Sequence, residues 1–211
     1  MKLFLASEVK HPTCMKYLEK FVNGFEGKKI AYIPTASNGE DGYGYWKNSS
    51  SFRTAVATKA IVTPVVLEEY RSSKVIDVLQ QNDILWFAGG YWGYLMYWIN
   101  ICDIDLHIKK LLASGKIYVG SSAGSNITGT SLDIAEWFRY SPKESGFERG
   151  GSKFEGLGLV SFDIYPHYSE ELYDWIKEHY KGNKMYLLKN GEAITVQDTK
   201  IEVLGEERVI P

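Results

Sequence analysis

With 211 residues, 45% of them hydrophobic and 24% charged, the chain has the composition of a water-soluble globular protein and can bury a substantial core. Its 24 basic and 26 acidic residues give a net charge of −2 without a basic tract, which argues against a surface built for nucleic acid. The two cysteines, Cys14 and Cys102, fall in no metal-ligand or disulfide-framework spacing and are read as free, mostly buried thiols. The opening "MKLFLASEVK" holds too short an apolar run for a secretory leader, and no later run reaches the length of a membrane span. A single domain over residues 1–211, placed in the cytoplasm with no membrane partner, is the expectation; the oligomeric state is left open.

In chain order, "KLFLAS" reads as a strand, "TCMKYLEKFVNGF" as a helix and "KKIAYIPTAS" as a buried strand running into a turn. "IVTPVVL" follows as a strand, "SSKVIDVLQQN" as a helix opened by a serine cap, and "DILWFAGG" as a strand ending in glycines. Next come "YWGYLMYWINICD" and "DLHIKKLLASG" as helices and "KIYVGS" as a strand. The alternation predicts βαβ units and a mostly parallel sheet with helices on both faces. After a helix-like "SEELYDWIKEHYKG", the stretch "MYLLKNGEAITVQDTKIEVLGEERVIP" has β-forming residues interrupted at Asn190-Gly191 and Gly205, which predicts terminal strands joined by hairpins.

In such a fold function gathers at the carboxyl ends of the strands. Gly120-Ser121-Ser122-Ala123-Gly124 matches G-x-S-x-G between a strand and a plausible helix. A sharp turn there would crowd residues two positions to either side of Ser122, which explains glycine at both, and would lift the Ser122 hydroxyl above the sheet. The other reading is a glycine-rich turn that packs tightly or binds phosphate, and the motif by itself does not separate the two.

A serine hydroxyl needs a base, and the chain has 4 histidines. His11 and His107 read as solvated surface residues, and His179 shares a half-buried helical stripe with Leu172, Trp175 and Ile176. His167 differs, because it follows "LVSFDIYP" at a strand end, where Pro166 keeps the chain extended and Ser169 can cap a helix. That would put it on the same sheet edge as Ser122.

"FAGGYWGYL", "YVGSSAGSN" and "YPHY", in this order and at these intervals, resemble the peptidase E family of serine peptidases, which contains the α-aspartyl dipeptidases and is related to cyanophycinase. The resemblance implies a flavodoxin-like or class I glutamine-amidotransferase-like α/β sandwich with a Ser-His-carboxylate triad, no cofactor and no metal, acting on small peptides. It implies Ser122 as nucleophile, His167 as general base, and the backbone N–H groups of Gly90 and Ala123 as oxyanion donors.

The chain departs from the family in three places. Gly89-Gly90-Tyr91-Trp92 stands where the family has Gly-Gly-Asn-Thr, so aromatic rings are expected to flank the site. Asn190 stands before Gly191 where the family has its glutamate; Asn190 is the favoured third member, with Glu192 and Asp163 as the alternatives. The stretch after His167 is too short for the arginine-bearing loop of the aspartyl dipeptidases, so an N-terminal aspartate preference is not implied. The remaining aromatics among Trp86, Tyr94, Tyr97 and Trp98 read as packing, and the Glu68-Glu69, Glu170-Glu171 and Glu206-Glu207 pairs as solvated or helix-start carboxylates. A catalytically inactive member that binds a small ligand is the alternative function. Amidotransferase-like chemistry, which needs cysteine at the elbow, is disfavoured by Ser122.

Overall fold

The computed structural model describes residues 1–40, 46–130, 132, 155–182 and 184–211. The short apolar runs form β1 (Lys2–Ala6), β2 (Lys29–Ile33), β3 (Ile61–Pro64), β4 (Ile84–Phe87) and β5 (Ile117–Ser121). Between them lie helices α1 (Pro12–Phe21), α2 (Thr35–Asn38), α3 (Ser50–Ala57), α4 (Leu67–Tyr70), α5 (Val75–Gln80), α6 (Trp92–Ile101) and α7 (Ile104–Ala113). The chain continues through α8 (Ala123–Asn126), β6 (Asp163–Tyr165), α9 (Tyr173–His179), β7 (Met185–Leu187), β8 (Ala193–Gln197), β9 (Lys200–Leu204) and β10 (Val209–Ile210).

The large sheet has the order β3-β2-β4-β5-β1-β8-β9. Its first five strands run parallel, while β8 is antiparallel to β1 and β9 antiparallel to β8. Alternation along each strand sends side chains to two separate cores, because successive residues of a strand point to opposite faces. Leu3, Leu5, Ala31, Ile33, Leu85 and Phe87 join one core with α5, α6 and α7, while Phe4, Ile30, Tyr32, Ile84, Trp86 and Val119 join the other with α1 and α3. Each fully buried Leu, Ile or Phe side chain contributes about 1.5–3 kcal/mol of transfer free energy. The architecture is therefore the expected mostly parallel sheet between helical layers, ending in antiparallel strands.

Several local expectations change. The C-terminal hairpin is β8–β9, turned at Asp198, which has φ 54°; Asn190-Gly191 and Gly205 close no hairpin. Instead the chain leaves a second, three-stranded sheet of order β10-β7-β6 at Asn190-Gly191 and enters the large one at β8. Pairing of β7 with the distant β6 and β10 satisfies its backbone, so no local turn partner is needed. No serine side chain caps α5, whose N-cap position is Lys74, and Ser169 precedes a 3-10 turn (Glu170–Leu172) without capping it. On α9 only Ile176 of the expected stripe is buried. Trp175 is 40% exposed and stacks on the exposed His179 ring with centroids 4.6 Å apart.

Candidate active site

Parallel register brings the pieces together. Ala6 at the end of β1 pairs with Ser121 at the end of β5, so the next residues, Ser7 and Ser122, leave the sheet side by side. Ser122 has φ 48° and ψ −110°, a conformation that costs a residue with a side chain of order 1–3 kcal/mol. Its amide donates to the Ala6 carbonyl at 3.0 Å, and its own carbonyl accepts from the amides of Ser125 at 2.7 Å and Asn126 at 2.9 Å. These bonds hold the turn in place, and Ser125 Oγ adds a bond to the Ala6 carbonyl at 2.8 Å.

The glycine spacing has the expected steric cause. A Cβ on Gly120 would lie 2.5 Å from the Gly124 carbonyl oxygen, and one on Gly124 would collide with the Phe87 carbonyl. Tyr118 supports the turn from beneath, stacking on Phe87 at 4.8 Å and donating its hydroxyl to the Gly124 carbonyl at 2.7 Å. The helix that follows, α8, is short: residues 123–126 only.

Beside the elbow, the loop after β4 presses against Ser122; a Cβ on Gly89 would come within 3.2 Å of the serine Cβ. Gly90 has φ +140°, and a Cβ there would strike the Ala36 carbonyl. The loop is tied to α2 by Tyr91 N–H to the Ala36 carbonyl at 2.8 Å and Ser37 Oγ to the Gly89 carbonyl at 2.9 Å. Among the described residues the amide N–H groups of Gly90 and Ala123 have no intramolecular acceptor.

His167 approaches from the second sheet, not from the same sheet edge as expected. It lies just beyond β6, with φ 55°, and its backbone N–H donates to Ser7 Oγ at 2.8 Å. The ring spans two partners: Nε2 is 3.1 Å from Ser122 Oγ, and Nδ1 is 2.7 Å from Asn190 Oδ1. Asn190 occupies the turn that Glu192 N–H closes on the Lys189 carbonyl at 3.0 Å. Thus Ser122, His167 and Asn190 form one continuous hydrogen-bonded line. The imidazole lies at the exposed mouth and the serine half-buried at its base.

The other two candidates for the third position face elsewhere. Glu192 accepts from Arg208 Nη1 at 2.8 Å and from Lys189 N–H at 2.8 Å, both away from the ring. Asp163 is buried and accepts the Tyr180 hydroxyl at 2.8 Å; burial first, and this hydrogen bond with it, push that phenol's pKa well above its ordinary value. Tyr91 and Trp92 are also placed differently from expectation. Tyr91 is 5% exposed and Trp92 packs on the large core. The turn into α6 directs both rings into the protein. Glu68 is more than a solvated carboxylate: it accepts from Thr35 Oγ1 and Asn38 Nδ2, each at 2.8 Å, and braces both ends of α2.

The line opens into a cleft of about 210 Å³ at the carboxyl ends of β1, β2, β4 and β5. Its walls are hydroxyl-rich, with Ser37 and Ser49 to Ser51 opposite Ser122 and His167. Among the described residues its cation is Lys10, held to Glu8 at 3.0 Å, and no arginine lines it. The cysteines lie outside it and are free and buried, and burial pushes the Cys14 thiol up to about 12. No group of His, Cys, Asp and Glu among the described residues could hold a metal ion, and no helix of those residues is long and apolar enough to cross a membrane. Ser7 and Ser37, which also line the cleft, carry no motif in the sequence. The signal for Ser7 was its position just after an apolar run, at a strand end.

A family model described as peptidase family S51 matches residues 3–204. The chain belongs to this family. It is therefore a serine-type peptidase, a hydrolase of amide bonds. An uncharacterized peptidase of Listeria innocua, Lin0382, is 27% identical over 204 residues, covering 94% of each chain. Peptidase E of Actinobacillus pleuropneumoniae serotype 3 is 24% identical, covering 93% of this chain and 83% of its own. Among solved structures, a candidate peptidase E protein from Listeria monocytogenes EGD-e superposes with a TM-score of 0.82 at 24% identity, over 96% of this chain and 97% of the other. A peptidase from an acI-B1 Actinobacterium follows at a TM-score of 0.70 and 17% identity, over 99% of this chain and 88% of the other. These structural likenesses speak to the fold, which this S51 chain shares with both.

Proposed function

We propose that this protein cleaves amide bonds of small peptides with Ser122 as nucleophile, His167 as general base and Asn190 as the group that orients the imidazole. The observation that carries the reading is the line of two hydrogen bonds, 3.1 Å and 2.7 Å, ending at a serine on a strained turn. Ser122 Oγ attacks the substrate carbonyl while His167 Nε2 takes its proton. The amide N–H groups of Gly90 and Ala123 stabilise the tetrahedral oxyanion, a role their lack of internal acceptors supports. His167 then returns the proton to the leaving amine, and water, deprotonated by the same ring, releases the acyl group from Ser122.

The small cleft of about 210 Å³ supports short substrates, in keeping with the relatives named peptidase E. The reading takes residues 1–211 as one unit, which the family match over 3–204 supports, and the cytoplasm as its compartment, which two free buried thiols fit. The test is a short-peptide library run with the native protein and Ser122→Ala, alongside labelling by a fluorophosphonate. Turnover and labelling, both abolished in Ser122→Ala, support the reading. Turnover that survives Ser122→Ala overturns it, and a native protein that neither labels nor turns over is a binding module.

A further inference from the structure

An asparagine in the third position creates a problem that a carboxylate does not have. Both oxygens of a carboxylate accept hydrogen bonds, so either serves the imidazole. An amide has one accepting end and one donating end. If Asn190 turned Nδ2 toward the ring, Nδ1 would have to be the bare acceptor and the ring proton would sit on Nε2. That proton would point at Ser122, and the imidazole could no longer take the serine's proton.

Ser7 supplies the missing discrimination. Its side chain is wholly buried at the end of β1. Its hydroxyl oxygen accepts the His167 backbone N–H at 2.8 Å, and its proton goes to Asn190 Oδ1 at 3.2 Å. Burial denies that proton a water partner, so a reversed amide would leave the Ser7 hydroxyl facing an N–H donor with nowhere to donate. Asn190 Oδ1 thus accepts from Ser7 on one side and from His167 Nδ1 on the other.

We propose that Ser7 is a positioning residue: its hydroxyl locks the Asn190 amide with the oxygen toward His167 and thereby sets the imidazole tautomer. Its effect on rate rests on the function proposed above, but its effect on the tautomer does not. The same hydroxyl fixes the His167 backbone, which is what a merely structural role would amount to. The two roles separate when Asn190 is replaced by aspartate, since a carboxylate has no wrong end.

The experiment is a double-mutant cycle of Ser7→Ala and Asn190→Asp, read by the ¹⁵N resonances of the histidine rings at a pH where they are neutral. His167 is assigned from the signals lost in His167→Gln. The native protein should show the Nδ1–H tautomer, and Ser7→Ala a mixture. The double variant should return to Nδ1–H, and Ser7→Thr, which keeps a hydroxyl, should match the native ring. With a turned-over peptide, Ser7→Ala should lower kcat at least about tenfold with KM within about twofold, yet change kcat little in the Asn190→Asp background. An unaltered tautomer in Ser7→Ala, or an equal loss of kcat in both backgrounds, would reduce Ser7 to a structural contact and overturn the proposal. If Ser7→Ala does not fold, Ser7→Cys, a weak donor, gives the same contrast. The ring spectra decide the matter even if Ser122 proves not to be the nucleophile.

Discussion

The side-chain oxygen of Asn190 lies 2.7 Å from His167 Nδ1, the distance of a full hydrogen bond, although the pair comes from two different connections of the small sheet. The bond holds the ring without placing a formal charge beside it. Asn190→Ala should lower kcat by about 10- to 100-fold through loss of ring orientation. Asn190→Asp should raise kcat, because a carboxylate stabilises the imidazolium formed as the serine proton is taken. Steady-state kinetics on one peptide substrate for the three proteins checks both directions.

Glu192, two residues further on, should behave in the opposite way. It is bound to Arg208 with side-chain exposures of 13% and 11%, so Glu192→Ala removes a well-shielded charge-assisted bond and should cost about 1.5–3 kcal/mol of stability. Its kcat should stay within about tenfold of native, because the carboxylate does not touch the ring. Urea unfolding paired with kinetics separates the two residues. A Glu192 variant that folds normally but is inactive would assign the wrong residue to the third position.

Gly90 tests the loop after β4. At φ +140°, against the Ala36 carbonyl, alanine must displace the backbone of a residue that lines the cleft. Gly90→Ala should lose about 1–3 kcal/mol of stability and, on the proposed mechanism, in which the amide serves chiefly the oxyanion, reduce kcat far more than it changes KM. The midpoint of urea unfolding and a KM-against-kcat comparison are the measurements.

The thiols should be silent in the native protein. Burial pushes the Cys14 thiol up to about 12, far above pH 8, so its reactive thiolate is scarce there. Ellman's reagent should find neither thiol in the native state and both after unfolding in guanidinium. Peptidase activity should survive iodoacetamide, and inactivation by that reagent would point to a cysteine in the chemistry.

The large sheet was legible because its parallel strands are short, nearly continuous apolar runs such as Leu3 to Ala6 and Ile84 to Phe87, buried on both faces and separated by helical stretches. The elbow was legible for steric reasons, since Gly120 and Gly124 leave room that no larger residue could. His167 and Asn190 were found by position and resemblance, but the route that brings them in was not. β6 and β7 are three residues each, and β7 pairs with β6 on one side and with β10 on the other across long stretches of chain, which periodicity cannot reveal. Tyr91 and Trp92 misled because their neighbourhood in sequence suggested the cleft, while the start of α6 turned their rings into the protein. Ser7 carried no motif, and its importance comes from a parallel register that only the folded sheet creates.

Ser122 and His167, at φ 48° and 55°, both hold backbone angles at which glycine is comfortable and other residues are not. The molecule therefore keeps conformational energy in its resting form that its chain length and composition do not demand. On the proposed mechanism, relaxing either position would trade turnover for hardiness, so selection for heat resistance alone would be expected to work against this cleft.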